Sequence, residues 1–417
     1  MPRRRLDQVD AMRPMKQAGV VSTHVLIFFA PAAASVSAGA ALTLLHVSRE
    51  GFFFISACML TYAHQNLGRA DMRRFYRRRF ISVALPYLCW TVIYFIYTLP
   101  RSHYASPAGA LAHLAYLVPT GYYQLYFLLV IMQFYLVFPL VLMMLRRTRG
   151  HHGAVIAIAA LVQVGLVTAM HWQVLPAWLR GVWAQREATT YVLYLIGGSV
   201  VAFHLDAADR WLRRNARLVI TLTVLAAVAA EAVYYLAQAG VTTVLGSGDD
   251  PFQPSVIPFN VGAIACMYLA GVALAAPWRS RRARAAVRSG SDNSYGIYLA
   301  QMLFISALSW LGWERLSSAV PWPLLCAATV VFVYLACIAL TSLLARTPLA
   351  VPLTGRPRQP WATLLPQREA AGRAAPADLS PLEPAMSDLP PPASSRPEFP
   401  PAPAATLAGA TSDQNGP

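Results

Sequence analysis

The sequence of 417 residues is too apolar for a soluble enzyme, since 57% of its residues are hydrophobic and only 12% are charged. A formal net charge of +16 could suggest a nucleic-acid partner, but the arginines form short clusters between apolar runs and no basic domain gathers them. All five cysteines lie within apolar runs, so the sequence shows neither a disulfide framework nor a metal-ligand spacing. The composition therefore predicts a polytopic membrane protein and argues against nucleic-acid binding.

Apolar runs recur along the chain, and each is long enough to cross a bilayer as a helix of roughly 18–24 residues. We therefore predict an all-α fold, a polytopic transmembrane helix bundle of about ten spans. The predicted spans cover residues 12–31, 48–66, 80–99, 122–145, 153–171, 188–205, 216–239, 256–276, 292–312 and 322–345.

The two ends of the chain need separate interpretations. Residues 1–40 have a basic start, an apolar core and an Ala-rich stretch, which are also features of a cleavable signal peptide. Because Arg13 and Lys16 would interrupt that apolar core, we interpret the segment as the first span. From residue 350 onward Pro, Ala and Ser dominate, a composition that cannot bury a core. The predicted organisation is a transmembrane domain over residues 1–349 and a disordered cytoplasmic tail over residues 350–417.

The arginine clusters predict the orientation of the bundle. They precede the first span and then lie in every second loop, whereas one of the alternate loops carries Asp249 and Asp250. By the positive-inside rule both termini are expected to be cytoplasmic, and an even number of spans agrees with this.

Arg13 and His24 are two ionisable residues inside the first predicted span, with ten residues between them. Because a helix rises about 1.5 Å per residue, the imidazole would lie about 16 Å deeper than the guanidinium, near the middle of the hydrocarbon. Ionisable side chains at such depth are functional-site candidates. The alternative is that His24 is a hydrogen-bonded packing residue.

Five sequence blocks follow one another over residues 10–305. The first, DAMRPMKQAGVVSTH, places an acid, an arginine and a histidine at Asp10, Arg13 and His24. The others are REGFFFISACMLTY, FYRRRFISVALPYLCWTVIY, YYQLYFLLVIMQFYLVFPLVL and SDNSYGIYLAQMLF. In content and order these blocks resemble the acyltransferase 3 family of integral-membrane proteins.

The chain departs from the pattern of that family at several positions. Gln301 stands where the last block commonly ends in histidine, and Gln124 with Tyr126 replaces parts of a common His-Leu-Trp phrase. Val83 replaces an arginine often found before the proline of the third block. Glutamine forms hydrogen bonds but cannot exchange protons near neutral pH. His24 is therefore the one well-placed base that the resemblance leaves.

The resemblance implies an O-acyltransferase of the bacterial plasma (inner) membrane. Such an enzyme would move an acyl group, expected to be acetyl, from acyl-CoA to a hydroxyl of a cell-envelope or secreted glycan or a lipid-linked sugar. Acyl-CoA would be a substrate, and no permanently bound cofactor or metal is expected. The expected partners are acyl-CoA, the sugar acceptor and the lipid bilayer.

Residue chemistry predicts the role of each catalytic candidate. A hydroxyl that attacks a thioester must lose its proton, and histidine, with an unperturbed pKa of about 6.5, is well suited to accept it. We therefore predict His24 as the general base, while an acyl-imidazole intermediate stays an open alternative. Arg13 is suited to hold a phosphate or a developing oxyanion. Asp10 could orient Arg13 or simply lie at the membrane interface.

The candidates for donor or substrate binding are Asp10, Arg77, Arg78, Arg79, Glu50, Gln124, Tyr126, Tyr295 and Gln301. The arginines, predicted to lie in a loop, are also typical of a topology signal and of phospholipid contact. Glu50 beside Arg49 could form an interfacial ion pair instead, and Tyr295 could be a packing residue. Ser291 and Asp292 predict the N-cap of the ninth span.

Two other classes of function remain open from the sequence. A glycan or lipid transporter or flippase would use the same buried polar groups for recognition without acyl chemistry. A substrate-binding sensor could have lost catalysis through the replacements at Gln124 and Gln301.

Overall fold

The computed structural model describes residues 6–176, 183–241, 252–276 and 280–360, and it contains no strand within these ranges. Its helices are α1 (Asp7–Phe29), α2 (Ser35–Leu45), α3 (Val47–His64), α4 (Met72–Thr98), α5 (Pro107–Thr120), α6 (Tyr126–Arg147), α7 (His152–His171), α8 (Val192–Phe203), α9 (Leu205–Arg214), α10 (Ala216–Gln238), α11 (Val256–Leu274), α12 (Arg281–Trp310), α13 (Trp322–Leu344) and α14 (Ala350–Thr354). The prediction of an all-α membrane bundle is confirmed.

The predicted number of ten spans is not confirmed. Within the described chain, six helical stretches are long and apolar enough to cross a membrane, or seven if α8 and α9, bent by 100°, form one span. Those six are Met72–Arg101, Pro107–Arg147, His152–His171, Ala216–Gln238, Val256–Leu274 and Trp322–Leu344. Helices also exist at the other predicted positions, but α1 and α3 carry charged residues inside their length and α8 has only 12 residues.

Hydrogen bonds between helix ends bring the arginine clusters to one end of the bundle. Gln65, just after α3, donates to the carbonyl oxygen of Ala202 in α8 at 2.7 Å. Arg146, near the end of α6, donates to the Gln65 carbonyl oxygen at 3.1 Å. Gln8 at the start of α1 donates to the Tyr268 hydroxyl of α11 at 3.3 Å. We call this the arginine-rich end, and the opposite end holds the starts of α3, α8 and α11.

α1 lies inside the bundle, where it packs against α3, α11, α12 and α13. Two glycines permit this close packing. A Cβ on Gly271 of α11 would collide with the Gln8 backbone, and one on Gly290 of α12 would lie 2.9 Å from Pro14. Because neighbouring helices surround α1, its polar side chains face protein and not lipid.

The predicted N-cap at Ser291 and Asp292 is wrong, because α12 begins at Arg281 and runs through both residues. Polar side chains of this segment bond to the helix itself. Asn293 donates to the carbonyl oxygen of Ser289 at 2.9 Å, and the Ser294 hydroxyl donates to that of Ser291 at 2.9 Å. Such local bonds let cap-type residues remain inside a helix when tertiary packing favours it.

The fold continues past residue 349, where we predicted the tail to begin. α14 packs against α4, and the indole Nε1 of Trp90 donates to the Leu353 carbonyl oxygen at 2.9 Å. The rest of the predicted tail, residues 361–417, lies outside the described residues.

Candidate active site

Four polar residues of α1 form a stripe along one side of the helix. At about 100° per residue, Asp10, Arg13, Gln17 and His24 lie within about 60° of one another. Their order along the helix runs from the arginine-rich end toward the opposite end. We call these four residues the α1 polar stripe.

The α1 polar stripe faces the space between α3 and α12. On one side of the stripe, the Nζ of Lys16 lies 3.9 Å from the centre of the Phe52 ring of α3. On its other side, Pro14 packs against Gly290 of α12. The stripe therefore points into the interior of the bundle.

Arg13 forms an ion pair with Asp10 one turn earlier, with Nη1 3.4 Å from Oδ1. Asp10 is buried, while Arg13 remains partly exposed at the arginine-rich end. The pair restrains the guanidinium, whose forked donors suit a phosphate or a carboxylate ligand.

His24 is buried near the far end of α1, and its ring centre lies 5.4 Å from that of Tyr123. Gln301 of α12 lies beside it and is completely buried. Within the described structure, neither His24 Nδ1 nor either amide atom of Gln301 has a hydrogen-bond partner. A buried polar group without a partner costs about 1–3 kcal/mol. These atoms are thus available to a ligand that would recover that cost.

Gln124 connects three elements around this pair. Its Nε2 donates to the Tyr94 hydroxyl of α4 at 3.1 Å, and its backbone carbonyl oxygen accepts from Tyr298 of α12. The Tyr94 hydroxyl in turn donates to the Leu299 carbonyl oxygen at 2.6 Å. Gln124 therefore holds α4 and α12 together as well as lying near the site.

Arg49 and Glu50 form a buried ion pair at the start of α3. Nε and Nη2 of Arg49 lie 3.0 and 2.7 Å from Oε1 of Glu50, and the guanidinium stacks 4.2 Å from the Phe252 ring centre. Tyr126 lies close enough to Arg49 to interact with it. Arg49 is only 5% exposed and Glu50 only 3%. The pair is thus buried inside the protein.

Arg77, Arg78 and Arg79 lie in the first turns of α4 and not in a loop, since α4 begins at Met72. Arg77 is exposed, whereas Arg79 lies with its Nη2 3.4 Å from Nε2 of His64. The structure therefore places these arginines at the arginine-rich end, apart from His24.

Tyr295, the remaining predicted residue, faces α14. Its ring lies against Gly355, just after that helix, and its buried hydroxyl has no partner within the described residues. Within the described residues, no hydrogen bond or ring contact joins Tyr295 to Arg13 or His24.

Gln17 and Lys16 were not among the predicted site residues. Both are buried, and Gln17 Nε2 has no hydrogen-bond partner in the described chain. Gln17 could have been found from the sequence, since it lies one turn after Arg13 and two turns before His24. Lys16, the only lysine, gives no periodic signal that would reveal its contact with Phe52.

Comparison with known proteins identifies a family for this chain. The family model described as an acyltransferase domain matches residues 7–341, which include the whole α1 polar stripe. A search of curated proteins and of solved structures finds no match. In the described residues no group of three or more His, Cys, Asp or Glu side chains could hold a metal ion. The match extends over most of the 417 residues. The chain therefore belongs to the acyltransferase 3 family and is, in general terms, a membrane acyltransferase.

Proposed function

We propose that the protein transfers an acetyl group from acetyl-CoA to a hydroxyl of a cell-envelope or secreted glycan or a lipid-linked sugar. The observation that carries this proposal is the buried His24, whose Nδ1 is unpartnered, on the same side of α1 as Arg13. The family membership supports acyl transfer in general. The donor, the acceptor and the role of His24 are parts of the proposal.

In the proposed reaction His24 is the general base. A ring nitrogen of His24 takes the proton of the acceptor hydroxyl while the hydroxyl oxygen attacks the carbonyl carbon of the thioester. The carbon–sulfur bond then breaks, the acyl group stays on the acceptor oxygen, and the CoA thiolate leaves and takes up a proton. Gln301 beside His24 would orient the imidazole or the carbonyl oxygen by hydrogen bonding, since its amide cannot exchange protons.

Arg13 would bind the phosphate-bearing end of the donor. Arg13 and His24 are separated by about 16 Å along α1, which is comparable to an extended pantetheine arm. A donor lying along the α1 polar stripe would pass Gln17, whose unpartnered Nε2 could bond to an amide oxygen of that arm. Arg77, Arg78 and Arg79 would add positive charge at the same end.

The proposed location is the bacterial plasma membrane, with the arginine-rich end and both termini in the cytoplasm. The positive-inside rule supports this orientation. Acyl-CoA would then enter from the cytoplasm, and the acceptor would reach His24 from the opposite end.

The proposal is tested with purified protein in liposomes, acetyl-CoA and envelope glycan extracted from the source bacterium. Wild type should release free CoA in a glycan-dependent manner, and His24→Ala should lower the rate by about 10²–10⁴-fold. His113→Ala is the control, because this histidine is exposed and its ring contacts Tyr104, before α5, and Phe95 of α4, neither of which is a candidate site residue.

Two outcomes contradict the proposal. If His24→Ala releases CoA at the wild-type rate, His24 is not the base. If wild type moves glycan across the liposome membrane without consuming any acyl donor, the protein is the transporter that the sequence left as an alternative.

A further inference from the structure

A small polar cavity lies at the end opposite the arginine-rich end, between α3, α7, α8 and α11. Its volume is about 10 Å³, and its polar lining is contributed by Glu50, Gln163, Thr190, Tyr194, Gln253 and Asn260. A cavity of this size holds one oxygen-sized group, such as a water molecule or a hydroxyl.

Three side-chain atoms around this cavity have no hydrogen-bond partner within the described residues: Oε2 of Glu50, Oγ1 of Thr190 and Oδ1 of Asn260. The three residues are 3%, 1% and 2% exposed, so these atoms can be satisfied only by a group that occupies the cavity itself. A cluster of such groups is expensive and calls for a ligand that bonds to them.

The walls of the cavity are held in place by hydrogen bonds. Gln163 Nε2 donates to the Thr190 carbonyl oxygen at 2.6 Å, and its Oε1 accepts from the Leu193 amide at 3.3 Å. Asn260 Nδ2 donates to the Tyr194 hydroxyl at 3.3 Å. Arg49 holds one oxygen of Glu50 and leaves the other unpartnered. The unpartnered atoms are therefore preorganised.

The chemistry of the cavity favours an uncharged group that donates hydrogen bonds. Carboxylate and amide oxygens accept hydrogen bonds, which favours a hydroxyl and disfavours an anion. Arg49 beside Glu50 supplies the balancing positive charge, which disfavours a cation. A sugar offers hydroxyl groups of this size and polarity.

We infer that this cavity is a recognition subsite for one hydroxyl group of a neutral sugar acceptor. The inference rests on the proposed function, because it names a binding residue set for the acceptor of that reaction. Glu50 of the cavity pairs with Arg49, and Arg49 contacts Tyr126 at the start of α6. Tyr123, in the turn just before α6, contacts His24. The subsite would hold one sugar hydroxyl while another is presented to the base.

The experiment measures thermal unfolding of the full-length protein in a detergent without a sugar headgroup. The ligands are the methyl glycosides of glucose, galactose, mannose and N-acetylglucosamine. A ligand that binds only the native state raises the unfolding temperature in proportion to its occupancy. At least one glycoside should protect wild type and His24→Ala alike, because His24 does not line the cavity.

The variants are Asn260→Leu and Thr190→Val, with Thr223→Val as the matched control. Asn260→Leu and Thr190→Val should weaken the apparent affinity about tenfold or more by removing a hydrogen-bonding group. Thr190→Val should also unfold at an equal or higher temperature without sugar, because it removes an unpartnered hydroxyl. Thr223 is similarly buried, but its hydroxyl bonds to the Val219 carbonyl oxygen of its own helix at 2.7 Å. Its variant should keep wild-type affinity.

The inference is contradicted if no glycoside raises the unfolding temperature of wild type. It is also contradicted if the glycoside raises the unfolding temperatures of Asn260→Leu and Thr190→Val as much as that of wild type. Its failure is distinct from failure of the proposed function. If CoA release depends on glycan but the thermal protection by glycoside does not require Asn260, only the inference of the subsite is contradicted. If the thermal protection requires Asn260 but no CoA is released, the subsite is supported and the proposed acyl transfer is contradicted.

Discussion

Several buried polar atoms of the candidate site have no hydrogen-bond partner within the described residues. His24 Nδ1, both amide atoms of Gln301 and Nε2 of Gln17 are buried between α1 and its neighbours without a partner in the described chain. Each costs stability in the free protein. Such atoms are expected where a ligand or a bound water completes their hydrogen bonds, which makes them candidates for a site.

Gln301 and Gln124 make a matched pair for a test of this argument. Gln301→Leu should stabilise the protein by roughly 1–3 kcal/mol, because it removes an amide with no partner, and should lower acyl transfer. Gln124→Leu should destabilise it, because the change also removes the bond from Nε2 to Tyr94, although Oε1 of Gln124 has no partner in the described residues. Thermal unfolding in detergent measures both effects. Equal destabilisation by the two variants would show that Gln301 is satisfied in the folded protein.

The Arg49–Glu50 pair predicts strongly non-additive stability. Glu50→Ala should cost about 3–5 kcal/mol, since it leaves a buried guanidinium uncompensated. Arg49→Met combined with Glu50→Leu should recover most of that loss, because both charges are removed. Chemical unfolding of the single and double variants checks this. A double variant as unstable as Glu50→Ala would contradict the assignment of a buried pair.

The sequence predicted His24, Arg13 and Asp10 because charged residues stand out within an apolar helix. It could not predict which residues meet His24, since Gln301 lies far away in the chain and only the packing of α12 on α1 brings it close. The resemblance pointed to Gln301 by position, but not to its unpartnered amide. Asn260 and Thr190 gave no signal, because only the packing of the helices brings them together with Glu50 around one cavity.

At the scale of elements, close helix contacts depend on glycine. α3 and α8 share the most extensive helix contact, and a Cβ on Gly198 of α8 would collide with the Phe54 carbonyl oxygen of α3. This contact fixes the start of α3, and with it the Arg49–Glu50 pair, relative to α8.

Gly198→Ala should therefore destabilise the protein by about 1–3 kcal/mol, since the backbones must separate. Gly165→Ala in α7 is the matched control, because nothing lies within 4 Å of its added Cβ. That control should be neutral or stabilising by up to about 1 kcal/mol, as alanine favours the helix. Thermal unfolding temperatures compare the two, and an unaffected Gly198→Ala would contradict the close α3–α8 contact.

Helix positions were predictable because apolar runs are long, whereas helix ends were not. The predicted cap at Ser291 is wrong because α12 already begins at Arg281 and packs against Pro14 through Gly290. α14 was missed because five residues after a proline-containing segment carry no periodic pattern. Its position depends on Trp90, more than 200 residues earlier.

For the whole molecule, the proposed use of acyl-CoA requires the arginine-rich end to face the cytoplasm. Cysteines introduced at the two ends test this orientation, with Arg149→Cys after α6 and His103→Cys before α5, both at exposed positions. A membrane-impermeant maleimide should label His103→Cys in spheroplasts and Arg149→Cys only after lysis. The reverse pattern would place the donor-binding end on the wrong side for acyl-CoA.

The central claim is that His24 removes the proton of the acceptor hydroxyl. The most direct measurement is the transfer of radiolabelled acetyl from acetyl-CoA to glycan in membrane vesicles containing wild type, His24→Ala or His113→Ala, with and without added imidazole. We expect transfer by wild type and His113→Ala, loss of transfer in His24→Ala, and partial recovery of that variant by imidazole. Transfer by His24→Ala at the wild-type rate without imidazole would contradict the claim.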